Sequence, residues 1–202
     1  MKFLFAVKKK LRKVKHLIQA VAGMSRTPAP YYQKHALLRD FFPSDSVAIE
    51  TGTYLGETTQ MLGRQCNEVV SFEPYRPLFE FNSHQFRKYA NIQIVNNTSE
   101  NGLESSLSKL EGNVSFWLDG HFSGDGTFGD LANSSPVLRE LEIIESWLKS
   151  GGNAWIAIDD ARLFTGNDGY PTDSVIVDFA DRNNMTAFKF RDIFFITKSP
   201  LR

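Results

Sequence analysis

A chain of 202 residues, 42% hydrophobic and 23% charged, can bury one substantial core, and this composition excludes both a disordered tract and a membrane bundle. Basic and acidic residues balance at 23 each, yet seven basic residues lie within the first fifteen positions and the first acid is Asp40, so the remainder carries 16 basic against 23 acidic residues, a net of −7. So acidic a body lacks the positive face of a nucleic-acid-binding domain, and no nucleic-acid partner is expected.

The one cysteine, Cys66, excludes an intrachain disulfide and a clustered-cysteine zinc site. A reducing, cytoplasmic setting fits, with Cys66 read as a small buried hydrophobe. No apolar run reaches about eighteen residues, so no membrane span is expected.

Phe3, Val7, Leu11, Val14, Ile18 and Val21 recur at steps of three and four, the period of one helix face, with lysines and arginines largely on the others. Two readings of this basic amphipathic helix stand side by side. It attaches to an anionic membrane surface or a partner, or it packs its stripe on its own domain or on a second subunit in a homodimer. Gly23 and the stretch from Ser25 to Pro30, with Pro28 and Pro30, then break the helix. The expected organisation is therefore a helix and linker over 1–30 and one domain over 31–202.

From Val47 onward, short runs rich in β-branched and aromatic residues alternate with helical patterns, the signature of a parallel sheet with crossover helices. The pattern predicts strands over Val47–Thr51, Glu68–Glu73, Ile92–Asn96, Val114–Asp119 and Asn153–Ile158. Helices are predicted over Thr58–Arg64, Pro77–Tyr89, Gly102–Leu110 and Pro136–Ser150, the last from the stripe Val137, Leu141, Ile144 and Leu148 stopped by Gly151 and Gly152. A helix near Asp173–Arg182 precedes two strands, Thr186–Phe190 and Ile193–Thr197, separated only by Arg191 and Asp192. So short a connection makes a hairpin, and the sheet ends in an antiparallel strand. The fold class is α/β: a three-layer Rossmann-like domain, its sheet mainly parallel.

The segment from Val47 to Thr59, VAIETGTYLGETT, is a buried strand running into a glycine-bearing turn and then a helix. Gly52 and Gly56 allow a ligand close to the backbone, and the helix N-terminus beyond offers N–H donors. Glu50 at the strand end suits a cationic group such as an ammonium better than a pyrophosphate. Glu73 ends the second strand about twenty residues beyond the first glycine, where a carboxylate accepts bonds from ribose hydroxyls. A nicotinamide-dependent oxidoreductase shares these features, but Glu50, the incomplete glycine pattern and the final hairpin argue against it.

These residues resemble the class I S-adenosylmethionine-dependent methyltransferase family over roughly Val47 to Lys198, about three quarters of the chain. The resemblance implies that S-adenosylmethionine lies across Glu50, Gly52, Thr53, Gly56 and Glu73, with Asn97, Thr98 and Ser99 bordering the adenine. Thr53 departs from the family at a position where many members carry a second glycine.

The fourth and fifth strands end in Trp117-Leu118-Asp119-Gly120-His121 and Ala157-Ile158-Asp159-Asp160, side by side at the carboxyl edge where open α/β sheets bind ligands. Asp119, Asp159 and Asp160 are hard oxygen donors suited to Mg²⁺ or Mn²⁺. They look like the metal-dependent O-methyltransferase branch, which includes sugar-modifying members. That resemblance implies methylation of a small hydroxylated substrate such as a sugar, with a divalent ion lowering the hydroxyl pKa, Asp119 facing the ligands and His121 taking the proton. Plainer roles compete: Asp119 in a post-strand turn, Asp159 and Asp160 capping a helix or bonding a loop, His121 as a structural hydrogen-bonding residue. The glycine-rich stretch between His121 and Pro136 is a candidate lid, and Phe164 with Tyr170 a candidate wall. A further alternative keeps the fold without catalysis, the basic helix docking it to a membrane or partner.

Overall fold

The computed structural model describes residues 2–21, 29–120, 135–167 and 169–198, the side chains of residues 2 and 16–21 excepted. In chain order the elements are α1 (Lys2–Val21), α2 (Tyr31–Phe41), β1 (Val47–Thr51), α3 (Glu57–Gln65), β2 (Glu68–Phe72), α4 (Arg76–Phe86), β3 (Ile92–Val95), α5 (Ser99–Leu107), β4 (Asn113–Leu118), α6 (Val137–Lys149), β5 (Asn153–Ile158), α7 (Ser174–Arg182), β6 (Thr186–Phe190) and β7 (Ile193–Thr197). One short 3-10 turn, Ala161–Leu163, follows β5.

The strands form one seven-stranded sheet in the order β3-β2-β1-β4-β5-β7-β6. The first five are parallel, β7 runs antiparallel to β5, and β6 closes on β7 as a hairpin. Arg191 and Asp192 carry that hairpin with φ of 50° and 69°, the positive values a tight primed turn demands.

Alternation along the strands feeds a core on each face. Ile49, Phe116 and Ile156 point to the side covered by α5, α6 and α7, where they meet Leu103, Leu141, Ile144 and Phe179. Ala48, Trp117 and Ala157 point the other way, against Leu38 of α2 and Met61 and Leu62 of α3. Buried on both faces, the central strands read as near-continuous apolar runs.

Three elements depart from the sequence reading, α4 by ending at Phe86, three residues before the expected Tyr89. The α2 helix occupies a stretch read only as the start of the domain; its buried face alternates Lys34 with Leu38, so a charge interrupts the apolar stripe. The α5 helix begins three residues before the expected Gly102, because Thr98 takes the N-cap position and Gly102 lies within the helix against the Phe72 ring. A Cβ at Gly102 would stand 2.5 Å from that ring, so packing explains this glycine.

The carboxyl ends of β1, β2, β4 and β5 meet along one edge. Register sets this alignment: Thr51 is paired with Phe72 and with Leu118, and Leu118 with Ile158.

Candidate functional site

Gly52 turns the chain out of β1 with φ 88°, and its amide donates to the Phe72 carbonyl at 3.0 Å. A Cβ there would lie 2.5 Å from the Asp119 carbonyl oxygen, so β1 and β4 can end this close together only with glycine. Gly56 has φ 69°, but its missing side chain faces Asn82, Gln85 and Phe86 of α4. Packing against α4 thus accounts for Gly56. Thr53 is also directed inward, its hydroxyl 2.6 Å from Ser71 Oγ.

Glu73 follows β2 and is buried against the turn. Its Oε2 accepts the Tyr54 N–H at 2.8 Å and its Oε1 the Tyr75 N–H at 3.0 Å. Burial pushes its carboxyl up to about 7, against the pull of those two donors. Glu50 is fully buried and accepts from Thr59 Oγ1 and Ser71 Oγ through Oε2, tying β1 to α3 and β2. Burial raises it to about 8, the two hydroxyls pull it down, and the nearby Asp119 and Glu73 charges push it further up. Glu50, Gly52 and Glu73 therefore share one neighbourhood around the turn.

Helix α1 straps this turn from outside. Lys9 Nζ donates to the Leu55 carbonyl at 2.8 Å and to Gln85 Oε1 at 2.7 Å. Arg12 pairs with Glu57 at 3.2 Å and lies over the rings of Tyr31 and Tyr54, at 4.5 and 4.9 Å from their centroids. Among the described side chains the helix packs on its own domain through Phe5, Lys9 and Arg12, while Phe3, Val7, Leu11 and Val14 of its apolar stripe stay exposed.

At the neighbouring strand ends, Asp119, Asp159 and Asp160 each bring a carboxylate oxygen within 4.8 Å of the others. Asp119 is anchored by its amide, which donates to the Thr51 carbonyl at 3.1 Å. Asp160 sits at φ 54°, unusual for a residue with a side chain, and pairs with Arg162 at 2.6 Å. Into this corner α2 delivers Lys34, whose ammonium donates to both Asp159 oxygens at 2.5 Å and stands 3.7 Å from Asp160. Lys34 and Asp159 are only 4% and 5% exposed, so water does not screen the pair. Burial first, then the Asp119 charge, raises the Asp159 carboxyl; Lys34 is also raised, its burial outweighed by the three aspartates. The donor set alone suits Mg²⁺ or Mn²⁺, but a protein cation already occupies it. These residues as arranged do not fit a divalent ion.

Sequence reasoning missed both Lys34 and Glu140. Glu140 lies in the first turn of α6, buried, and burial raises it to about 7 against the downward pull of the nearby Ser99 and Thr51 side chains. Ser99, expected beside the adenine, is buried near this acid. The signal was available: position 140 falls three after Val137, on the apolar stripe. His121 and the candidate lid over 121–134 lie outside the described residues. Phe164 and Tyr170 are both buried and pack edge to face, with centroids 5.6 Å apart. Cys66 is buried as expected, and burial pushes its thiol up.

No protein-family model matches the sequence. Over 102 residues, 48% of this chain, it is 29% identical to the ribosomal RNA small subunit methyltransferase A of Caldanaerobacter subterraneus subsp. tengcongensis, and the match spans 34% of that relative's length. Among solved structures, an rRNA methylase from Streptococcus thermophilus superposes with a TM-score of 0.53 at 16% identity, over 88% of this chain and 99% of the other. A Streptococcus mutans protein described as a methyltransferase, solved in complex with S-adenosylhomocysteine, gives 0.56 at 14% identity over 87% and 100%. The precorrin-6y C5,15-methyltransferase of Geobacter metallireducens gives 0.53 at 13% identity over 86% and 89%. With sheet order β3-β2-β1-β4-β5-β7-β6 and a reversed β7, the chain has the Rossmann-like fold of class I methyltransferases.

Proposed function

We propose that this chain transfers a methyl group from S-adenosylmethionine to an oxygen of a small polyhydroxylated acceptor. The observation that carries the reading is Glu73, held by the Tyr54 N–H against the turn at Gly52, with the second of its oxygens fixed by Tyr75. A carboxylate so fixed has acceptor capacity left for two vicinal ribose hydroxyls. The cofactor's ammonium nearby lowers the Glu50 pKa, so that the proton leaves to solvent and the carboxylate supplies negative potential to that cation.

The acceptor then lies at the ends of β4 and β5. Asp119 and the Lys34–Asp159 pair offer it both acceptors and a fixed cation, which suits hydroxyl groups. In the transfer, the acceptor oxygen attacks the methyl carbon, the carbon–sulfur bond breaks with its electron pair going to sulfur, and the hydroxyl proton leaves to a base. We assign that base to His121. Lys34 stands where a divalent ion would neutralise the aspartates, so the reaction runs without added metal.

Ribosomal RNA is the second reading, favoured by the names of the Caldanaerobacter relative and the Streptococcus thermophilus structure. The net charge of −7 outside the first fifteen residues disfavours a phosphate backbone there. The test is S-adenosylhomocysteine production with a panel of sugars and polyols, with and without a chelator, and with rRNA as a parallel arm. Turnover on a polyol, unchanged by chelator, is expected. Turnover confined to RNA, or abolished by chelator and restored by Mg²⁺, overturns the corresponding part.

A further inference from the structure

Helix α1 is mounted inside out. Phe5, Lys9 and Arg12 face the domain, Phe5 against Phe81 of α4 with ring centroids 5.7 Å apart. The apolar residues point to solvent: Phe3 is 82% exposed, Leu4 65%, Leu11 66% and Val14 56%, with Val7 also exposed. At 100° per residue these five side chains fall within one outward stripe, opposite Lys9 and Arg12. Exposed lysines flank it, Lys10 and Lys13 on one side and Lys8 and Lys15 on the other.

A helix that only covered its own domain would turn the apolar stripe inward and the lysines outward. Here the inward cations are consumed by Leu55, Gln85 and Glu57, and the stripe is left to something else. We propose that α1 docks the domain on an anionic lipid surface, the stripe entering the headgroup boundary and the flanking lysines meeting lipid charge. Charge chooses this occupant. No acid precedes Asp40, so nothing on the helix repels an anionic surface. A nucleic acid would meet the lysines but leave five large apolar side chains in water. Among the described residues no helix is long and apolar enough to cross a membrane, so the contact is peripheral. Because Lys9 and Arg12 grip the glycine turn from the other side of the same helix, docking would present the proposed cofactor site at a fixed height above the lipid.

The test is co-sedimentation of the full chain with vesicles of phosphatidylcholine containing about one third phosphatidylserine, against phosphatidylcholine alone. Binding to the anionic vesicles is expected, weakened about fivefold per lysine by Lys10→Gln, Lys13→Gln and Lys15→Gln. The double variant Leu4→Asn with Leu11→Asn should lose at least about tenfold while keeping its melting temperature, since both side chains lie outside the fold. A parent that stays in the supernatant with both vesicle types overturns the proposal, as does equal sedimentation of the double variant. So does a parent dimer in analytical ultracentrifugation that the double variant dissolves, which would make the stripe an interface between copies, or lysine-dependent retention of RNA without lipid binding.

Discussion

Replacing Glu73 by glutamine probes the cofactor reading with almost no change of shape. A carboxylate has about four acceptor positions, and the Tyr54 and Tyr75 amides take one on each oxygen, at 2.8 and 3.0 Å. The two that remain match a vicinal diol. In glutamine one oxygen becomes an NH₂, which can accept neither from its backbone donor nor from a hydroxyl. The loss is about one hydrogen bond to a charged acceptor, about 1.5–3 kcal/mol, or roughly 10–150-fold in affinity. Calorimetric titration of both proteins with S-adenosylhomocysteine at about pH 8.5, where Glu73 is ionised, reads this directly. Because Glu73 titrates at about 7 in the free protein, the parent's affinity should fall as pH drops below that value, by up to about tenfold per unit. The variant should lose that part of the pH dependence. Affinities within about threefold of each other, or an identical slope through neutrality, would refute the ribose-clamp role.

Other consequences follow from the same interactions. Glu50 and Glu140, raised from 4.5 to about 8 and about 7, are protonated in the fold at mild acidity, so their stabilising contribution is whole below about 4.5 and is lost as pH rises through 7 to 8. The melting temperature should fall between about pH 5 and 8, and Glu140→Gln should exceed the parent at pH 8 by on the order of a few kcal/mol while matching it at pH 5. Lys34→Met strands Asp159 beside Asp119 and Asp160 and should cost about 3–5 kcal/mol, lowering the melting temperature by roughly 6–20 °C; Lys34→Met with Asp159→Asn should recover most of this in a thermal scan. Gly52→Ala drives a Cβ to 2.5 Å from the Asp119 carbonyl at a φ of 88°. It should lose about 1–3 kcal/mol in denaturant unfolding and weaken S-adenosylhomocysteine binding by more than tenfold, the latter read by calorimetry.

The sheet was readable because its strands are buried on both faces and punctuated by turn residues; four strands, among them β1 and both strands of the hairpin, begin and end where the pattern placed them. Helix α2 was not readable, since Lys34 breaks its apolar stripe and its need for a partner is met 125 positions away by Asp159. The convergence of Asp119, Asp159 and Asp160 followed from parallel strands ending side by side. Their neutralisation by lysine did not, because a metal-ligand pattern and an ion-pair pattern look alike until a cation is placed. Gly52 and Gly56 looked equivalent in sequence, yet one faces the end of β4 and the other faces α4. For α1 the period of the stripe was plain, but only the contacts of Lys9 and Arg12 reveal which side the helix turns inward.

In the proposed function, the turn at Gly52 and the carboxylate of Glu73 hold the adenosyl moiety of S-adenosylmethionine. A crystal structure of the full chain soaked with S-adenosylhomocysteine tests it most directly. Both ribose hydroxyls should lie within hydrogen-bond reach of Glu73 and the nucleoside should cross Gly52; a cofactor lodged elsewhere, or none at concentrations on the order of millimolar, would rule that placement out.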